Sequence, residues 1–232
     1  MNAQKPYLDR EKFPKYFDHT LLRPNAPEKQ IREICEEALK YRFASVCINP
    51  VHVPICAQLL KNSGIKVCTV IGFPLGATLT QVKAVEARKV MQLGAEEIDM
   101  VLNIGALKDS NYDFVYQDIF EVVKEARLKN ARCKVILETG LLTDDEKKVA
   151  CGIAKKSGAH FVKTSTGFGP GGATVEDVIL MMEAVMGSRV QVKASGGIRS
   201  FAEAVKMIEA GASRLGTSAT VKIMQEYLRE IQ

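Results

Sequence analysis

The chain has 232 residues, 47% of them hydrophobic, with 32 Lys and Arg against 27 Asp and Glu for a formal charge of +5. That is enough apolar side chain for one full-sized core, at about the length of an α/β barrel folded as a single domain. The charge is dispersed, basic beside acidic as in Arg32-Glu33 and Asp144-Asp145-Glu146-Lys147-Lys148, which is the pattern of solvated helix faces and argues against a nucleic-acid-binding stripe.

Residues 1–15 read as a polar N-terminal extension without the apolar stretch of a signal peptide. A strand is predicted over 16–22, closed by Arg23-Pro24-Asn25-Ala26-Pro27. Apolar residues at 31, 34, 35, 38 and 39 repeat with the helical period, giving a helix over 28–42 and then a strand over 43–48. The alternation continues as helix 50–62, strand 66–71, helix 79–93, strand 97–102, helix 112–130 and strand 134–138. Helix 143–157, strand 160–164, helix 174–186, strand 190–194, helix 200–210, strand 213–216 and helix 218–230 complete it. Gly64, Gly94, Gly158 and Gly211 stand where helices end, as left-handed C-caps do. Regular β/α units of this size define a (β/α)₈ TIM barrel, with an open doubly wound sheet as the alternative that shares the pattern.

No run reaches the roughly 18 apolar residues needed to span a bilayer. The six cysteines, at 35, 47, 56, 68, 133 and 151, have no C-x-x-C spacing, and the three histidines are isolated. Reduced thiols, a cytoplasmic location, no membrane partner, and no metal or other cofactor are therefore expected.

Two strands end in lysines that run into glycines: Phe161-Val-Lys163-Thr-Ser-Thr-Gly167-Phe-Gly169 and Val190-Gln-Val-Lys193-Ala-Ser-Gly196-Gly197-Ile-Arg199. In a parallel α/β protein the C-terminal end of a strand is where active sites are built. Side chains alternate along a strand, so if Val190, Val192 and Ala194 face the helices, Gln191, Lys193 and Ser195 face the barrel axis. By the same parity Glu97 and Asp99 point inward while Ile98 and Met100 point out, and Lys163 shares a face with Phe161 and Ser165. Lys163, Lys193 and Asp99 thus converge.

Such a set suits amine catalysis. A free lysine is unprotonated in only about one molecule in 2500 at pH 7. A second ammonium about 5 Å away costs the charged form about 3 kcal/mol at an effective dielectric near 20. The neutral amine can then form a Schiff base with a carbonyl, an electron sink for making or breaking the adjacent carbon–carbon bond. Asp99 either moves the protons, through a bridging water, or only neutralises a lysine. On this argument either lysine could be the reactive one. The loops Ser195-Gly196-Gly197-Ile198-Arg199-Ser200 and Leu215-Gly216-Thr217-Ser218 read as a phosphate site of backbone N–H groups, with Arg199 as counter-charge.

Five segments in order resemble the deoxyribose-phosphate aldolases: Asp18-His-Thr20-Leu-Leu22, Gly72-Phe-Pro-Leu-Gly76, Glu97-Ile-Asp99-Met-Val101, Phe161 to Phe168, and Val192 to Arg199. The resemblance runs from Tyr16 to Ser218. It implies a metal-free TIM-barrel lyase that reversibly cleaves 2-deoxy-D-ribose 5-phosphate to D-glyceraldehyde 3-phosphate and acetaldehyde in deoxynucleoside breakdown. It also implies Lys163 as the Schiff-base lysine, Lys193 as the neighbour that lowers its pKa, and Asp99 as proton donor or acceptor. Gly167, Gly196, Gly197, Arg199, Gly216, Thr217 and Ser218 would hold the phosphate, and Asp18, Thr20, Cys47 and Thr166 would line the pocket.

The chain departs from some relatives in placing Phe168 where they have a basic residue. Tyr227 falls within a helix pattern rather than in a tail that closes the site. Cys47 is read either as a buried small hydrophobe or as the thiol through which concentrated aldehyde inactivates the protein. Partners expected are a phosphorylated sugar, an aldehyde and further copies of the chain, as a dimer or tetramer. Another Schiff-base aldolase or transaldolase, and a non-catalytic barrel whose lysines merely neutralise an anion, are the competing readings.

Overall fold

A computed structural model describes residues 9–231; residues 1–8 of the predicted extension, and Gln232, lie outside the described residues. The strands are β1 (Phe17–Leu21), β2 (Ser45–Ile48), β3 (Lys66–Ile71), β4 (Glu97–Val101), β5 (Arg132–Ile136), β6 (Phe161–Lys163), β7 (Gln191–Ser195) and β8 (Arg214–Thr217). All pair in parallel and in sequence order, and β1 also pairs with β8, so the sheet closes as a barrel. Closure removes the open-sheet alternative.

The helices are α1 (Glu28–Tyr41), α2 (Val53–Leu59), α3 (Thr80–Gln92), α4 (Ile104–Lys108), α5 (Tyr112–Leu128), α6 (Asp144–Ser157), α7 (Val175–Val185), α8 (Phe201–Glu209) and α9 (Thr220–Glu230). Among the described residues no helix is long and apolar enough to cross a membrane.

Local chemistry sets the boundaries. Thr143 and Ser200 open α6 and α8 with capping boxes closed by Glu146 and Glu203. The predicted helix over 50–62 divides into a 3-10 turn, Pro50–His52, and the shorter α2, because Pro50 and Pro54 each lack an N–H. β2 begins two residues later than predicted because the N–H of Phe43 bonds back to Ala38 O at 3.2 Å, beside a left-handed Arg42 that ends α1. α4, outside the predicted helices, is a single capped turn in which Asn103 accepts from the N–H of Ala106.

The outer layer is apolar: Ile98, Met100, Cys133, Val135, Val192 and Ala194 belong to one buried cluster with the inward faces of the helices. Within the stretch predicted as an extension, Phe13 and Pro14 are buried. The Phe13 ring packs against Phe17, Phe201 and Tyr227 at centroid separations of 5.1, 5.4 and 4.2 Å. Tyr227 is thereby held in the core, away from the cavity described below.

Barrel interiors are ordinarily filled by layers of aliphatic side chains. Here the middle of the barrel holds Asp18, Glu97, Asp99, Lys134, Lys163, Lys193 and Arg214, all buried.

Candidate active site

The inward parity expected of β4, β6 and β7 is observed, and it brings three ammonium groups onto one carboxylate. Lys163 Nζ lies 2.9 Å and Lys193 Nζ 2.7 Å from Asp99 Oδ2, while Lys134 Nζ lies 2.7 Å from Asp99 Oδ1. Lys193 also donates to Asp18 Oδ2 in a very short contact. Lys134 is 2.7 Å from Glu97 Oε2. Arg214 closes the layer from β8, with Nη1 2.5 Å from Asp18 Oδ1 and 3.1 Å from Glu97 Oε2.

Burial by itself would raise the carboxyls of Asp18 and Asp99. The cations around them, Arg214, Lys193 and Lys134 for Asp18 and all three lysines for Asp99, instead hold both well below the usual carboxylate range. Burial opposes the charge on Lys193 as well, yet Asp18 and Asp99 keep its ammonium above the ordinary lysine range. The same balance, struck mainly by Asp99, keeps Lys134 charged.

Lys134 and Arg214 were not singled out in the sequence. The signal was available, since the parity argument used for β4 and β7 places Lys134 inward between Cys133 and Val135, and Arg214 shares that face on β8. The carboxylate and thiol groups of Asp18, Cys68 and Glu97, or of Cys47, Cys68 and Asp99, are close enough to hold a cation. The Lys134 ammonium already occupies that ground, 3.3 Å from Cys68 Sγ and paired with both Glu97 and Asp99.

Above this layer, at the C-terminal ends of the strands, opens a cavity of about 590 Å³. Of the charged side chains in the barrel's middle layer, Lys163 alone lines it. Its walls include Thr20, Thr166, Gly167, Gly196, Gly197 and Arg199, together with Gly216, Thr217 and Ser218. Gly196 and Gly197 have φ of 88° and 81°, a left-handed pair that turns the chain over the cavity. The N–H groups of Gly167, Gly197 and Ser218 have no hydrogen-bond acceptor among the described residues. The guanidinium of Arg199 has no ion-pair partner among them either.

Two residues expected on the wall lie elsewhere. Asp18 is fully buried in the ion layer below the cavity, held by Ser45 Oγ as well as by Lys193 and Arg214. Cys47 is fully buried in a small apolar cluster with Leu22, Cys68 and Val70, on which Phe73 packs. Phe168 stands on the cavity wall with its ring edge-on to Phe73 at 5.4 Å.

Gly216 makes room for the lysine arrangement. A Cβ there would stand 3.0 Å from Lys193 Cε and 3.1 Å from Ser195 Cβ. Gly216→Ala is expected to crowd Lys193 off its carboxylates, costing about 1–3 kcal/mol of stability and lowering turnover on the order of tenfold. Thermal unfolding and steady-state kinetics check this, and a variant with parental kcat refutes it.

A closed (β/α)₈ barrel with one lysine amine reaching a cavity at its C-terminal mouth has the architecture of a barrel enzyme. The family model for DeoC/LacD family aldolases matches residues 13–226. The chain belongs to this family of aldolases, which are lyases. It is 60% identical over 216 residues to the deoxyribose-phosphate aldolase of Carboxydothermus hydrogenoformans, covering 92% of this chain and 94% of that one. It is 57% identical to the enzyme of the same name from Caldanaerobacter subterraneus, covering 93% and 94%. Among solved structures, the tetrameric deoxyribose phosphate aldolase of Aeropyrum pernix superposes with a TM-score of 0.89 at 36% identity, over 95% of this chain and 92% of that one.

Proposed function

We propose that the protein reversibly cleaves 2-deoxy-D-ribose 5-phosphate to D-glyceraldehyde 3-phosphate and acetaldehyde through a Schiff base on Lys163. The observation that carries the reading is that Lys163, alone among the charged side chains of the barrel's middle layer, opens onto the cavity. Three carboxylates, Asp18, Glu97 and Asp99, face four cationic groups, Lys134, Lys163, Lys193 and Arg214.

The amine adds to the C1 aldehyde of the open-chain sugar, and loss of water gives the iminium. Removal of the C3 hydroxyl proton then breaks the C2–C3 bond, whose electron pair moves toward the iminium nitrogen as the phosphorylated aldehyde leaves. Protonation at C2 and hydrolysis release acetaldehyde and restore the amine. Lys193, locked to Asp18 and Asp99, serves as the standing positive charge beside Lys163, and Asp99 relays protons. The unpaired N–H groups of Gly167, Gly197 and Ser218, with Gly196, Gly216 and Thr217 shaping the turns and Arg199 at the rim, receive the phosphate.

The proposal includes a role in deoxynucleoside breakdown in the cytoplasm, with no cofactor. The names of the relatives support the substrate, and the free, buried cysteines support a reducing compartment. A homo-oligomer, dimer or tetramer, is part of the proposal, and sedimentation equilibrium tests it.

The deciding experiment is borohydride reduction in the presence of acetaldehyde, followed by peptide mass spectrometry. An ethyl group on Lys163 is expected. An adduct on Lys193 would exchange the two roles, and no adduct would favour a barrel that only binds its ligand.

A further inference from the structure

Beyond β5 the chain does something no strand pattern predicts. Glu138 has φ 58° and ψ 62°, a left-handed conformation that is uncommon for a residue with a Cβ and that Arg42, Asn62, Ser110 and Asn130 also adopt. The backbone on either side is pinned to the next strand, Leu137 N to Lys163 O at 2.9 Å and Thr139 N to Thr164 O at 3.0 Å. The side chain is buried, yet it has no ion pair among the described residues.

The carboxylate turns instead to one loop. It accepts the Thr166 N–H at 3.3 and 3.4 Å, and the Thr166 hydroxyl through a very short bond to Oε2. Because Thr166 gives its only hydroxyl proton to Glu138, its oxygen is left as an acceptor. It takes the N–H groups of Phe168 at 3.0 Å and Gly169 at 3.3 Å. A Cβ on Gly169 would lie 2.7 Å from Glu138 Cδ, so the loop closes on the carboxylate only with glycine there. Gly167, with φ 86°, is the residue left over: its N–H is not used within the loop, and it lines the cavity.

We propose that Glu138 is a positioning residue for anion recognition. It folds Thr166 to Gly169 into a turn that holds the Gly167 N–H ready for the phosphate end of the substrate. The proposal rests on the reading of this cavity as a sugar-phosphate site. A carboxylate in a disfavoured backbone conformation, serving the loop through hydrogen bonds alone, is otherwise an unnecessary expense of stability.

Two substitutions separate positioning from folding. Glu138→Gly removes the carboxylate and relaxes the backbone, whereas Glu138→Gln keeps an oxygen that accepts from Thr166. KM and kcat are measured with 2-deoxyribose 5-phosphate and with unphosphorylated 2-deoxyribose. Inhibition by inorganic phosphate and the melting temperature are measured alongside.

For Glu138→Gly, KM for the phosphorylated sugar and the inhibition constant for phosphate are expected to rise about tenfold, the scale of one hydrogen bond to a charged group. Its kcat, its KM for 2-deoxyribose and its melting temperature are expected to stay at or near parental values. Glu138→Gln is expected to remain within about threefold of the parent. Equal losses on both sugars, no loss on either, or a glutamine variant as impaired as the glycine variant would overturn the proposal. A parent enzyme that is indifferent to inorganic phosphate and to the phosphate of the sugar would instead overturn the sugar-phosphate reading beneath it.

Discussion

Lys163→Ala is expected to lower turnover on the order of 10⁴-fold or more, the scale on which enzymes lose activity when a covalent nucleophile is removed. The same variant is expected to unfold at or slightly above the parental temperature. Lys163 contributes the fourth cation to a layer with three carboxylates, and its one ion-pair partner among the described residues, Asp99, retains Lys134 and Lys193 when it is gone. Coupled detection of the triose product, thermal unfolding and borohydride trapping are the measurements. A folded variant that still turns over, or still takes an ethyl group from acetaldehyde, would remove Lys163 from the mechanism.

Lys134→Met should give the opposite profile, a protein damaged first in stability. Its ammonium lies 2.7 Å from carboxylate oxygens of both Glu97 and Asp99. Breaking one side of a buried ion cluster leaves charge uncompensated, a loss of about 3–5 kcal/mol and, for a chain of this size, roughly 10 °C in Tm.

The pH dependence follows from the same contacts. Asp18 and Asp99 are held below their unfolded values, chiefly by the cations that overcome their burial. Their contribution to stability is complete above about pH 4 and drains away as the pH falls toward their folded values. Lys193 is shifted the other way, so its contribution is complete below about pH 10 and is lost as the pH rises further. The parent should therefore keep a broad stability plateau between these limits. The deficit of Lys134→Met should be largest on that plateau and shrink in acid, where protonation relieves the stranded carboxylates. Denaturant unfolding at pH 7 and at pH 3 tests this, and equal stabilities of parent and variant at pH 7 would refute it.

Much of the barrel could be read from the sequence because its strands and helices announce themselves by period and by caps. Parity along a strand was enough to bring Lys163, Lys193 and Asp99 together. It was not carried to Lys134 and Arg214, since a charged residue within a strand reads as solvent-facing until closure gives it carboxylates to meet. Asp18 and Cys47 share the inward face with Thr20, but Asp18 is buried among its cations and Cys47 in an apolar cluster, packing that parity does not encode, and neither lines the cavity. Glu138 was the least legible. Strand pattern ran through it, and only the backbone conformation and the loop folded about its carboxylate distinguish it from an ordinary strand end.

The ion layer also bears on how the chain finds its fold. Its charges come from β1, β4, β5, β6, β7 and β8. Sliding any one of these strands by a single residue would turn its charge outward among the helices and put an apolar side chain in its place, as Ile98 or Met100 would replace Asp99. Mispaired barrels that would be nearly degenerate with a uniformly aliphatic interior are thus penalised by stranded charges. The groups that prepare Lys163 for chemistry also act as a key that only the correctly aligned barrel can turn.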